Sequence, residues 1–324
     1  MHHFRNLLVP IDGDASRQPV LARAARLAKL HGAAIKLIAV LEDLPWYTRL
    51  VVPNAEELQT GLVREKSEAL EGLAAQLRRD GLEVTTEVLR GRRYLELVRE
   101  VLRGRHDLLM KEAEPNLGVL FGSTDMYLLR CCPCPLWLFK PEHAGLAFTQ
   151  VMAAVDPAPP PDKADLLQLK AELAPKDEEL DAKILELADS VASEEGAELQ
   201  IVHAWSAPGE ELLRGDLMLV KEQIDRYVED SRGEARKALD HLLTRFPDQA
   251  GRRFVHLLRG DPADAITDFA KTGHVDLIVM GTVARTGIPG FLIGNTAEAI
   301  LQRVDCSVLA VKPDGFVSPL SLDE

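Results

Sequence analysis

"EVLRGRRYLELVREVLRGRHDLLM" (residues 87–110) and "HLLRGDPADAITDFAKTGHVDLIVM" (256–280) are two stretches of one 324-residue chain with nearly the same pattern. Each has Leu-Arg-Gly (89–91 and 258–260), then apolar residues three and four apart, then Asp-Leu (107–108 and 276–277) opening a short apolar run, at a constant offset of 169. Apolar spacing of three and four predicts a helix. The closing run, apolar at nearly every position, predicts a strand buried on both faces. Such a strand belongs to a parallel sheet covered by helices.

The repetition extends outward in both directions. "LLRCCPCPLWLFKP" (128–141) matches "ILQRVDCSVLAVKP" (300–313) at an offset of 172, so the first copy is three residues shorter in the loop between. "NLLVPID" (6–12) and "VMAAVD" (151–156) are both short strands ending on Asp, each followed by a helix and a second strand. Each half therefore reads β-α-β-α-β-α-β-α-β. The fold class is α/β: two tandem open parallel five-stranded sheets, helices on both faces, joined by right-handed crossovers. The boundary falls in "PEHAGLAFT" (141–149), giving domains 1–146 and 147–324, and the length supports two cores of ordinary size.

Charge separates the halves. Residues 1–146 carry 20 basic and 19 acidic side chains, whereas residues 147–324 carry 18 and 32, for a net charge of −13 overall. That balance disfavours binding to nucleic acid or to anionic membranes, both of which need Lys/Arg surfaces. No apolar run is long enough to span a bilayer, and "MHHFRNLLVPID" lacks a signal-peptide pattern, so a cytosolic location is expected. Cys131, Cys132 and Cys134 crowd into "CCPC" while Cys306 stands alone. Without a second cysteine pair the cluster reads as small buried hydrophobes, with metal binding the alternative.

The loop in which the halves differ most is "GTVARTGIPGFLIGNTAE" (281–298), with Gly281, Gly287, Gly290 and Gly294. Strand-to-helix turns of this composition either cradle phosphates on backbone N–H groups or serve as plain loops, and spacing alone leaves both readings open. In the first half the corresponding stretch, "KEAEPNLGVLFGSTDM" (111–126), has Glu112 in place of Gly281. Glu112 and Glu114 place negative charge where a polyanion needs positive partners. "GST" (122–124) and Pro10-Ile11-Asp12 survive there as remnants.

With these residues laid out, the chain resembles a tandem universal stress protein over nearly its whole length, most specifically in "MGTVARTGIPGFLIGNTAE" followed by "CSVLAVKPD". The family's nucleotide-binding members carry Gly-x2-Gly-x9-Gly-Ser/Thr at this turn. The matching residues here are Gly281, Ala284, Gly294 and Asn295, so Ala284 and Asn295 depart from the pattern. The resemblance implies a non-catalytic cytoplasmic stress-response protein whose second half binds ATP or AMP, with magnesium only as the nucleotide's companion. It also implies protein partners or self-association, and packing of the halves as a pseudo-dimer with their final strands near the contact.

The site residues it implies are Asp156 after the first strand, Ala204 on the adenine side, and Met280 and Gly281 at the turn. Arg285 and Gly287 lie in the loop, and Gly294, Asn295 and Thr296 open the helix. Ligands of open α/β sheets bind outside the carboxyl ends of the strands, where these residues fall. A polyanion is accordingly expected in the second half and not in the first.

No catalytic constellation stands out. Nucleophile-elbow and Walker patterns are absent, and His203 and His256 fall within strands as core histidines. Two other readings stay open. One is a scaffold acting only through protein contacts. The other is a carrier for an apolar or acyl-bearing ligand, suggested by "LEDLPWYTRLVVP" (41–53). The acidic insertion 157–180 reads as a surface flap or a lid.

Overall fold

A computed structural model describes residues 4–11, 19–42, 55–114, 120–140, 147–158, 178–215, 221–247, 251–282 and 293–322. Ala284, Arg285, Gly287, Asp12, most of 41–53 and most of the 157–180 insertion lie outside the described residues.

The first half contributes strands β1 (Asn6–Pro10), β2 (Ala34–Leu41), β3 (Val84–Arg90), β4 (Leu108–Glu112) and β5 (Leu136–Phe139). Its helices are α1 (Pro19–His31), α2 (Ala55–Arg79), α3 (Arg93–Gly104) and α4 (Ser123–Cys131). The second half contributes β6 (Gln150–Ala154), β7 (Glu198–Trp205), β8 (Arg253–Arg259), β9 (Leu277–Gly281) and β10 (Ser307–Val311). Its helices are α5 (Glu178–Glu195), α6 (Glu210–Gly215), α7 (Lys221–Leu243), α8 (Pro262–Thr272) and α9 (Asn295–Leu301).

The repeated Leu-Arg-Gly turns share a physical cause. Gly91 and Gly260 have φ of 137° and 135°, a backbone region that L side chains rarely adopt, so both copies need glycine to leave the strand. After the second turn, the Asp261 side chain caps α8 by accepting from Ala263 N at 2.9 Å, with Pro262 at the first helical position.

The strands do not form two separate sheets. They form one, in the order β3-β2-β1-β4-β5-β10-β9-β6-β7-β8. Within each half every pairing is parallel. At the centre β5 and β10 pair antiparallel, with Leu138 opposite Val308, Trp137 opposite Leu309 and Leu136 opposite Ala310. The inner strands β4, β5, β9 and β10 are buried along nearly their whole length, as a sheet covered on both faces requires. The outermost strands β3 and β8 are partly exposed: β3 shows Thr85, Thr86 and Glu87 to solvent, which blunts it against pairing with other chains, whereas β8 shows Phe254 and Val255.

One apolar core lies on each face, and each runs through both halves. Residues of α1, α2, α5 and α7 join Leu7, Val9, Val279 and Leu309 on one face. Residues of α3, α4, α8 and α9 join Leu8, Leu109, Ile278 and Val308 on the other.

Polar contacts cross the seam on both faces. Arg23 Nη1 pairs with Glu195 Oε1 at 2.7 Å, and its guanidinium lies 3.9 Å from the Phe148 ring centroid. His31 Nε2 lies 2.9 Å from Glu194 Oε1. On the opposite face the buried Lys312 Nζ donates to Leu129 O at 2.6 Å, and Arg130 Nη2 pairs with Glu298 Oε1 at 2.8 Å.

Candidate functional site

In each half the chain turns to one side of its first strand and later crosses to the other: β2 and β4 flank β1, and β7 and β9 flank β6. The two crevices therefore lie at the carboxyl ends of β1/β4 and β6/β9, where strand order reverses.

In the second half, register brings together three of the expected positions. Ala154 of β6 lies beside Met280 of β9 and beside Val202 of β7, so Asp156, just past β6, falls with Gly281 and Ala204 at the carboxyl ends of three neighbouring strands. Asp156 N donates to Asp181 Oδ1 of α5 at 3.0 Å. His203 Nδ1 sits 3.1 Å from Val155 O and 3.9 Å from Asp156 Oδ1. His203 is a buried residue bonded to backbone, and His256 Nε2 bonds Gln200 Oε1 at 2.7 Å, so both histidines serve the strands. Burial lowers the His256 pKa from its ordinary value.

Two of the expected residues have other duties. Met280 is buried in the apolar core beneath α8 and α9. Gly281 has no left-handed backbone, and a Cβ placed on it would come within 3.0 Å of Leu180 Cδ2 and 3.7 Å of Ile184 Cδ1. What glycine permits here is the close approach of α5, so a side chain at 281 would meet that helix. Directly after it, the fully buried Thr282 Oγ1 has no hydrogen-bond partner among the described residues. Gly294 is the N-cap of α9, its carbonyl accepting from Glu298 N at 2.9 Å, while Asn295 and Thr296 begin the helix and are exposed. Among the described residues no group of three His, Cys, Asp or Glu could hold a metal. The cysteines are free thiols buried in the core, with Cys132 Sγ 3.5 Å from Cys134 Sγ.

The first half fills the same place differently. Lys111, one residue before the end of β4, is 1% exposed and points its ammonium at Asp125 Oδ1, 2.6 Å away, which is fully buried. Lys111 Nζ also donates to Glu112 O at 2.9 Å and Glu114 Oε1 at 3.3 Å. Asp125 Oδ2 accepts from Glu114 N at 2.8 Å and from Gly122 N, the N-cap of α4, at 3.3 Å. A Cβ on Gly122 would sit 2.6 Å from Glu114 O, so only glycine lets the turn close this tightly.

Glu112 and Glu114, expected to place negative charge here, are both engaged by neighbouring donors. Glu112 Oε1 accepts from Val20 N at 3.5 Å, and Arg93 Nη1 pairs with Glu114 Oε1 at 2.8 Å. Burial disfavours a charged Glu114, but the Lys111 ammonium and the Arg93 guanidinium outweigh it and hold this carboxyl below its ordinary pKa. Lys111, Asp125 and Arg93 were not among the residues expected from sequence. The available signal was a lysine inside the apolar run "LLMKE" and an Asp three residues after the helix-opening glycine of "GSTD".

The comparisons agree with this architecture. The model described as the Universal stress protein family matches residues 3–140 and 173–312. The chain is 28% identical to Universal stress protein E of Escherichia coli strain K12, over 100% of this chain and 99% of that one. It is 23% identical to a Universal stress protein E homolog of Haemophilus influenzae, over 96% and 98% of the two chains. In fold it is similar to a functionally unknown protein from Pseudomonas aeruginosa PAO1, with a TM-score of 0.69, 24% identity and coverage of 97% of this chain and 95% of that one. It is likewise similar to a universal stress protein from Archaeoglobus fulgidus, with a TM-score of 0.62, 17% identity and coverage of 95% and 98%.

Proposed function

Because the chain belongs to the universal stress protein family, we propose that it is a non-catalytic cytosolic stress-response protein whose second half, 147–324, takes an adenine nucleotide. Its first half, 1–146, serves as the structural partner. The observation that carries this reading is the contrast at the two crevices. Where the first half places the Lys111–Asp125 pair, the repeat offsets place Met280 and Ala297 in the second, and neither side chain can occupy a phosphate position with charge. The second half retains the Asp156 carboxylate at the strand edge to accept from a ribose or base. In sequence, the glycine-rich stretch after β9 and the helix opening that follows it are this reading's source of backbone N–H groups for phosphate.

Calorimetric titration of the full chain with ATP and AMP tests this. Saturation below about 1 mM is expected, with Asp156→Ala weakening binding at least about tenfold through loss of a charged acceptor. Mass spectrometry of small molecules released from the denatured, freshly purified protein separates the competing readings. A nucleotide supports the proposal. An acyl-bearing compound would replace it with the carrier reading, and no ligand together with no saturation would replace it with the scaffold.

A further inference from the structure

We infer that the first half contains a complete oxyanion site of its own, whose resident ligand is the Asp125 carboxylate, so that this half is closed to external anions by occupancy. Three elements converge on that carboxylate: the ammonium of Lys111 from β4, the backbone N–H of Glu114 just past the strand, and the backbone N–H of Gly122 at the start of the nine-residue helix α4. A cation, a strand-end amide and a helix N-terminal amide are the donors by which strand-to-helix turns hold phosphate or carboxylate ligands. The distances are 2.6, 2.8 and 3.3 Å, and neither Lys111 nor Asp125 is more than 1% exposed.

An ordinary helix-capping aspartate satisfies the N-cap amide at the protein surface. Asp125 does more. One oxygen takes both amides while the other takes a lysine almost wholly removed from water. The lysine's remaining protons go to Glu112 O and Glu114 Oε1, so the ammonium is saturated, and among the described residues its charge has no other buried counter-ion as close. Gly122, where any Cβ would strike Glu114 O, brings the second amide into range. The site is thus built around a carboxylate, and removing that group leaves a cationic, donor-lined space of carboxylate size. The inference stands on the first half alone and is independent of whether the second half takes a nucleotide.

The test removes the resident carboxylate and offers formate in its place. Asp125→Ala in the full chain is expected to lose thermal stability in chloride and to regain about 2–4 °C in Tm with formate in the hundred-millimolar range at matched ionic strength. The native protein should respond to formate no more than to chloride. The double variant Lys111→Met/Asp125→Ala, which copies Met280 and Ala297 of the second half, should melt near the native value and ignore formate. If Asp125→Ala is unfolded in chloride, the same comparison is read as recovery of far-UV circular dichroism on adding formate. An Asp125→Ala protein whose stability or folding responds to formate no more than the native protein does would overturn the inference.

Discussion

Two places in this molecule, matched by the internal repeat, solve one packing problem in opposite ways. Below the crevice of the first half lie Lys111 and Asp125, an ion pair in which all three ammonium protons and both carboxylate oxygens are engaged. At the matching positions of the second half lie Met280 and Ala297, both in the apolar core. Burying an ion pair and burying methylene groups reach similar stability when each is complete, because desolvation of the charges consumes most of their attraction. The consequences for ligands differ. An ion pair at a strand-end turn uses the amides that an anion would use. An apolar floor leaves them to whatever the loop can collect. The lesson is that one copy of a duplicated site can be closed by filling it as well as by repelling its ligand.

The largest expected effect comes from moving the ion pair across the repeat. Met280→Lys buries an ammonium beneath α8 and α9 without a partner and should destabilise the protein by about 3–5 kcal/mol in urea denaturation. Adding Ala297→Asp should recover most of that loss and abolish any nucleotide binding by the second half. A double variant as unstable as Met280→Lys alone would show that the two crevices are not equivalent.

A smaller effect tests the seam. Lys140 and Lys312 match at the repeat offset, but Lys140 reaches Asp305 Oδ1 at 2.8 Å near the surface, whereas Lys312 is buried and its pKa is lowered to about 8 by that burial. Between about 8 and its ordinary value near 10.5 the unfolded chain binds the proton that the folded one has released. Stability should therefore rise with pH across that window, by up to about 3 kcal/mol. Lys312→Met should flatten this rise, and Lys140→Met should leave it intact. Urea midpoints measured from pH 7 to 10 distinguish the two.

The smallest effect sharpens the account of Glu114. The Arg93–Glu114 pair is about one-third exposed, with side-chain values of 30% and 37%. Arg93→Ala should cost less than about 1 kcal/mol and leave the first half closed to ATP. If that variant gains a second nucleotide equivalent in a titration, the closure depends on the outer pair and not on Asp125.

Much of this was legible in the sequence, for a physical reason. Strands buried on both faces are written as apolar runs, so "LLVP", "DLLM", "DLIVM" and "SVLAV" announce the inner strands directly. The constant offsets announce the duplication. The seam was less visible, since "LWLF" and "SVLAV" are each apolar enough to sit anywhere in the sheet, and neither states that its partner runs the other way. Lys111 escaped notice because a lysine at a strand end reads as a solvated charge. Its burial depends on Asp125, 14 residues on, and on the glycine that folds the turn over both. Gly281 was legible as a required glycine but not for its cause, because the neighbour it admits, Leu180, belongs to a helix some hundred residues earlier.

The central position of β10 has a consequence for how the molecule is made. It is made after β1 to β9, yet it belongs in the middle of the sheet, between β5 and β9. Until residues 307–311 emerge, the apolar strand "LWLF" of the first half is an open edge, and β9 becomes a second one. Unpaired apolar edges recruit strands from other chains. A molecule cut short before residue 307 therefore carries two vacant edges that face each other, sized for one strand and able to accept the final strand of a complete neighbour. Premature termination in this protein does more than remove a tail: it produces a chain that can capture the closing strand of an intact copy.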